Sequence, residues 1–189
     1  MKKLLFVNAC IREHSRTELL SRRYIDSLAN EYGVEEVKLT ALNLKPFDAA
    51  MLAQRDSDIA NGELNKECYT LAHQFAEADR IVIAAPYWDS LFPAVLRIYL
   101  EHICVTGITF AYAPDGSLVK TCRAESLTYI TTCGGYLPKQ PAIKTFINET
   151  GALFSISDVH FYAAEGLDVY PDKVDEILEN ISIEWRHLH

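Results

Sequence analysis

The chain has 189 residues, 49% of them apolar and 23% charged, with a formal net charge of -8. That length suits one domain around a single sizeable core, and the acidic balance excludes nucleic acid as a partner, since binding it needs a basic face. No apolar run reaches the length of a membrane span, and the short N-terminal run behind Lys2 and Lys3 meets Arg12, Glu13 and His14 too soon to serve as a signal peptide.

In chain order, residues 3–9 (K-L-L-F-V-N-A) predict a first strand. Residues 16–32 predict a helix carrying Leu19, Leu20, Tyr24, Ile25 and Leu28 on one face, with Gly33 where a C-cap glycine belongs. A second strand is expected at 35–39. Residues 40–62 then read as a long polar connection containing Pro46 and Gly62. A helix over 63–78 presents Leu64, Cys68, Leu71, Phe75 and Ala78, and a strand at 80–85 runs into Pro86. Pro93 opens a helix over 93–105. Residues 106–121 have the pattern of a hairpin, with Pro114, Asp115 and Gly116 at its turn. A strand at 126–132, a helix at 141–150, a strand at 158–163 and a helix over 171–187 complete the set. The first, third and fourth strands are near-continuous apolar or β-branched runs, which suits parallel strands covered on both faces. Five strands alternating with five helices predict an α/β fold with a parallel sheet, read as one domain over 1–189.

In such sheets ligands bind beyond the carboxyl ends of the strands, near the point where strand order reverses. Three loops lie there. The first, C-I-R-E-H-S-R-T (10–17), runs into a helix; Ser15 or Thr17 can cap it, and its free N–H groups make a monophosphate site to which Arg12 or Arg16 adds charge. Taken alone, Ser15 is most simply a cap. There is no GxGxxG or GxxxxGK[ST] pattern, which disfavours dinucleotide or P-loop chemistry. The second loop, P-Y-W-D-S-L-F-P (86–93), offers the flat faces of Tyr87 and Trp88, with backbone donors around Asp89 and Ser90. Taken alone, it suits a subunit contact equally well. The third, T-T-C-G-G-Y (131–136), pairs Gly134 with Gly135 where a backbone can approach a ligand, and Tyr136 adds another flat face. A phosphate pocket, an aromatic slot and a glycine edge together describe a site for flavin mononucleotide (FMN).

The remaining chemistry-bearing residues point elsewhere. Cys10, Cys68, Cys104, Cys122 and Cys133 are odd in number with no CxxC spacing, so reduced thiols in a cytoplasmic protein are expected. Cys133 lacks an identifiable histidine partner for nucleophilic work. The six histidines form no HExxH or similar pair, so no metal is expected; His102 reads as a packed helix residue, and His187 and His189 as solvated. The acidic stretch D-K-V-D-E-I-L-E-N reads as a solvated helix face.

The stretches N-A-C-I-R-E-H-S-R-T, P-Y-W-D-S-L-F-P-A-V-L-R-I-Y-L-E-H-I, T-G-I-T-F-A-Y, T-T-C-G-G and I-S-D-V-H-F-Y-A-A-E-G-L occur in this order along nearly the whole chain. With them the chain resembles the flavodoxin-like NAD(P)H:quinone oxidoreductases and FMN-dependent NADH-azoreductases. The resemblance implies a five-stranded parallel sheet of order 2-1-3-4-5 with helices on both faces, and a homodimer with FMN at two interface sites. It implies a phosphate loop at Cys10, Ser15, Arg16 and Thr17, a ring-binding loop at Pro86, Tyr87, Trp88, Asp89 and Ser90, and a glycine turn at Thr132, Cys133, Gly134 and Gly135. Hydride would pass from NADH or NADPH to the flavin and then to a quinone, azo dye or nitroaromatic in the same slot, with ping-pong kinetics and no protein nucleophile or general base. Asp89, Ser90, Cys133 and Cys10 depart from the family's usual residues, and an Asp89 carboxylate near the ring would disfavour anionic reduced flavin. The rival expectation is a non-catalytic FMN electron carrier, or a flavin-free binding module of the same fold.

Overall fold

The computed structural model describes residues 1–186, apart from the side chains at 183, 184 and 186. Its elements are β1 (Lys2–Asn8), α1 (Arg16–Ser27), β2 (Tyr32–Lys38), α2 (Ala49–Asn61), α3 (Thr70–Glu77), β3 (Arg80–Ala84), α4 (Ala94–Ile103), β4 (Ala111–Tyr112), β5 (Leu118–Val119), β6 (Ser126–Thr132), α5 (Ala142–Leu153), β7 (Asp158–Ala164) and α6 (Val174–Arg186). Five strands pair in the order β2-β1-β3-β6-β7, every pairing parallel. This is the flavodoxin-like order the resemblance implies. The short strands β4 and β5 form the expected hairpin, closed by Ala113 and Gly116 around Asp115.

Alternation along the strands separates two cores. Leu5, Val7, Ile81, Ile83, Leu127 and Tyr129 face one side and pack under α3, α4 and α5, where Phe75, Leu96, Tyr99 and Ile147 meet them. Leu4, Phe6, Val82 and Ile130 face the other and pack under α1 and α6. There Tyr24 of α1 and Trp185 of α6 meet edge to face at 5.2 Å between centroids. Leu178, Ser182 and Trp185 form the buried stripe of α6, while Asp175, Glu176 and Glu179 lie on its exposed face, as the acidic stretch predicts.

Three local expectations are corrected. The helix expected over 16–32 ends at Ser27, with Leu28 as its C-cap; Gly33 is not a cap but a strand residue paired with Lys3. Tyr32 is buried and its ring lies under the Arg80 guanidinium at 5.3 Å, which commits the chain to β2 before the helical pattern runs out. The helix expected over 63–78 begins only at Thr70, after a short 3-10 turn at Glu67–Tyr69 that leaves Cys68 exposed.

The third correction is α2, inside the supposed polar connection. Its caps were legible: the Asp48 side chain accepts from the Met51 N–H at 2.8 Å, and Gly62 closes the helix in the left-handed region at φ 69°. Its apolar stripe was not, because the buried residue that anchors α2 is an acid. Asp58 accepts from Gln54 and Lys66 on one oxygen, at 2.7 and 2.6 Å, and from the Tyr69 hydroxyl on the other, at 2.8 Å. The Lys66 ammonium, joined by Gln54 and Tyr69 against the opposing push of burial, holds the Asp58 carboxyl below its usual value. A depressed carboxyl stabilises the fold above the unfolded-state value and loses that contribution as pH falls through the folded one. Asp58→Asn is therefore expected to lower stability at pH 7, and the gap to wild type should close below about pH 4. Urea unfolding at the two pH values checks this; a gap independent of pH would refute the ion-pair account.

Candidate functional site

β2 lies on one side of β1 and β3 on the other, so the chain reverses direction across the sheet at β1/β3. The loops beyond the carboxyl ends of β1, β3 and β6 meet there. At the first, Ser15 is the N-cap of α1, and its hydroxyl accepts from the Glu18 N–H at 3.3 Å. The N–H groups of Arg16 and Thr17 have no acceptor within the described residues. Both residues line the cleft at the positive end of the helix, where an anion is stabilised. The Thr17 hydroxyl meets that of Thr132 at 2.7 Å, tying the start of α1 to the end of β6.

The second loop first extends the β3–β6 ladder, with the N–H groups of Ala85 and Tyr87 donating to the carbonyls of Ile130 and Thr132 at 3.2 and 3.1 Å. Trp88 and Leu91 then exchange two backbone bonds, at 3.2 and 2.8 Å, around Asp89 and Ser90. Both turn residues have positive φ, 49° and 69°, as the tight hairpin turn between such a pair requires. Asp-Ser lacks the glycine that usually marks this turn, so it was not legible as one. Its effect is to hold Trp88 half-buried, with the Arg12 guanidinium over the ring at 5.6 Å. Tyr87 is also half-buried and packs on the α3/α4/α5 core.

The third loop is laced to a fourth that the residue-by-residue reading missed. Cys133 donates to Ala164, Leu167 to Cys133, and Asp168 to Gly134, at 3.0, 3.2 and 2.9 Å between backbone atoms, and Gly166 donates to Gly135. Parallel pairing of β6 with β7 thus continues into the segment 164–168. Asp168 then reaches back across the cleft mouth to Arg16, 2.8 Å away.

Together these loops enclose a cleft of about 430 Å³. Of the residues expected at the site, Ser15, Arg16, Thr17, Pro86, Tyr87, Trp88, Thr132, Cys133 and Gly134 line it. Ile11, Arg12, Glu13, His14, Leu167 and Asp168 complete the wall. Cys10 is off the wall: it is buried in the α1/α6 core, and its N–H is already taken by the Asn8 side chain at 3.0 Å. Asp89 and Ser90 are exposed at the tip of the turn and do not line the cleft. Gly135 and Tyr136 are exposed and off the wall, Tyr136 beside Tyr170 with the two rings flanking Gly166.

Burial, and then Glu165, push the Cys133 thiol up to about 11, and the group donates to the Gly135 carbonyl. Burial raises Cys10 to about 11 and Cys122 to about 11 as well. Roughly one molecule in a thousand would carry a given one of these thiolates at pH 8. Cys133 is thus a wall residue and not an activated nucleophile. Iodoacetamide at pH 8 should label the exposed Cys68 first and leave Cys10, Cys122 and Cys133 largely unmodified on the same timescale; early labelling of Cys133 by mass spectrometry would contradict this. Among the described residues no cluster of ligating side chains could hold a metal ion. His102 is packed as expected, bonded to the Lys45 carbonyl at 2.8 Å and against Phe47. His187 and His189 lie outside the described residues.

The cleft joins unbonded N–H groups and a guanidinium, flat aromatic faces and a glycine backbone edge. This donor set fits a ligand with a phosphate at one end and a planar heteroaromatic ring at the other. A family model described as the flavodoxin-like fold matches residues 2–188. The chain belongs to that family. Within the flavodoxin-like family, an FMN-dependent NADH:quinone oxidoreductase of Clostridium beijerinckii is 34% identical over 188 residues, spanning 95% of this chain and 93% of its own. The crystal structure of an azoreductase from Bacillus anthracis has the same flavodoxin-like fold, with a TM-score of 0.82 at 24% identity over 97% of this chain and 96% of that one. An FMN-dependent NADH-azoreductase from the same organism, solved in complex with FMN, matches with a TM-score of 0.79 at 19% identity over 100% and 99% of the two chains.

Proposed function

We propose that the protein is an FMN-dependent NAD(P)H oxidoreductase that reduces quinones, azo compounds or related aromatic acceptors. The observation that carries this is the meeting of the α1 N-terminus, the Trp88 face and the Gly134 backbone in one cleft. Full-length similarity to a relative that bears the quinone oxidoreductase name supports it. Ser15, Arg16 and Thr17 would hold the phosphate of FMN, with Arg16 exchanging its Asp168 partner for it. Pro86, Tyr87 and Trp88 would border the ring, the turn at Asp89–Ser90 fixing their direction, while Thr132, Cys133 and Gly134 form the opposite edge. Cys10 would act behind this wall, as packing for it, while Gly135 and Tyr136 lie exposed beside it. FMN, when bound, supplies hydride acceptance from NADH or NADPH and donation to the acceptor. The chain's own residues bind, orient and exclude water, and none is assigned as a nucleophile or general base.

The protein is further proposed to be one cytoplasmic domain over 1–189 that works as a homodimer. Among the described residues no helix is long and apolar enough to cross a membrane, all five cysteines are free, and Leu91, Tyr112, Leu118 and Val119 are exposed apolar residues. The test is to load the protein with FMN, desalt it and record the visible spectrum, then follow NADH oxidation with a quinone. Retained flavin bands and parallel double-reciprocal plots are expected, as ping-pong kinetics require. A requirement for a separate reductase protein would favour the electron carrier, and a colourless, inactive protein the flavin-free module.

A further inference from the structure

A second cavity, of about 530 Å³, lies on the other side of residues 11–15, which wall both spaces. Its far side is built from the outward face of α1 and the carboxyl end of the edge strand β2, through Glu18, Leu19, Arg22 and Lys38. We propose that this cavity holds the adenosine diphosphate half of the nicotinamide co-substrate, an inference that rests on the reductase reading above.

Three features point to that ligand. Size is the first: the volume falls within the range of small-molecule sites, and the cavity adjoins the flavin cleft across residues 11–15. Charge is the second. In a protein of net charge -8, three cations gather here, Arg12, Arg22 and Lys38, set against Glu13 and Glu18 of the lining and Glu36 beside Arg22. Arg22 is held at 2.7 Å by Glu18 and at 3.0 Å by Glu36, and Lys38 at 3.9 Å by Glu18, but Arg12 has no ion pair among the described residues. Its guanidinium lies over Trp88 instead, on the ridge between the two spaces. Once Ser15, Arg16 and Thr17 hold one phosphate, a second anionic group cannot share their N–H groups and needs cations of its own. A nicotinamide coenzyme brings just such a group: its ring must reach the flavin cleft while its diphosphate lies some distance away. Apolar surface is the third feature. Ile11 is 51% exposed and Leu19 46%, both in the lining among charged neighbours, and they offer a flat base somewhere to lie.

Lys38→Glu tests the proposal, because Lys38 lines the second cavity and not the first. Two readouts are needed. Calorimetric titration of ADP-ribose into the purified protein should show binding that Lys38→Glu weakens by about tenfold, the effect of removing and reversing one charged phosphate contact. In the FMN-loaded enzyme the same variant should raise the KM for NADH by about tenfold, with kcat unchanged and with no change in the KM for reduced nicotinamide mononucleotide, which lacks the adenylate. Equal effects on both donors, no effect on either, or inorganic phosphate binding as tightly as ADP-ribose would overturn it. A wild-type protein that retains no FMN and oxidises no NADH would refute the reductase reading instead, and the ADP-ribose titration would still judge the cavity.

Discussion

Gly134→Val is expected to lower FMN affinity by at least about tenfold while leaving the unliganded fold nearly as stable as before. A Cβ at this position would collide with the Asp168 Oδ2 and lie 2.7 Å from its Cγ, closer than Cβ atoms come, and 3.2 Å from its Cβ, a tight contact. The two backbones cannot part, because the Asp168 N–H donates to the Gly134 carbonyl at 2.9 Å. The carboxylate must therefore swing, and the cleft both residues line is where it and the valine methyls have room. Arg16 loses its partner as a result. That loss costs little, since the two side chains are 44% and 73% exposed and such pairs contribute about 0–1 kcal/mol. Ligand space is what suffers, along with a carboxylate pushed toward a phosphate site. Quenching of flavin fluorescence during titration measures the affinity. Gly134→Ala should show a smaller loss, and adding Asp168→Ala to it should restore part of the binding. An unchanged Kd in Gly134→Val would show that the glycine turn does not border the flavin.

Gly151→Ala should act in the opposite way, costing stability and sparing flavin binding per folded molecule. Gly151 sits in α5 over β7, and a Cβ there would meet the Val159 Cγ2 at 2.6 Å and the Ile156 carbonyl oxygen at 3.0 Å. Alanine is favoured over glycine in a helix by up to about 1 kcal/mol. Overpacking of this kind costs about 1–3 kcal/mol, and it prevails here because one obstacle is backbone that a rotamer change cannot move. The Ile156 N–H donates to the Gly151 carbonyl at 2.8 Å, which holds that backbone against the helix. For a chain of this length the expected fall in Tm is roughly 3–10 °C. Thermal unfolding decides the matter, and a rise in Tm would mean that helix propensity outweighs the contact.

The positions of these glycines show which parts of the protein are readable without coordinates. Gly134 was legible as an edge of the cleft, because a Gly-Gly pair after an apolar strand is a local pattern. Gly151 was not singled out, because nothing in the helix around it announces the strand it touches. The same division runs through the site. Ser15, Arg16, Thr17, Tyr87, Trp88 and Thr132 were legible from strand ends, caps and exposed rings. Asp168 was not, since its meaning comes from Arg16, 152 residues away in the chain. Cys10 shares a loop with Ser15, yet it turns inward, because the Asn8 side chain takes its N–H and the α1/α6 core takes its thiol.

The amino-acid sequence by itself determined the five parallel strands, their order through the resemblance, the hairpin at 106–121 and the three loops that meet at one edge. These follow from periodicity and turn chemistry, which act over a few residues and so leave a local trace. Tertiary structure alone decided that α2 forms around a buried acid, that α1 stops short of Gly33, that Asp89–Ser90 makes a tight turn between Trp88 and Leu91, and that a fourth loop lines the cleft. Each of those depends on partners distant in sequence, such as Thr17 with Thr132 across 115 residues. The free energy of such a contact belongs to the pair, and neither residue's neighbours in the chain record it.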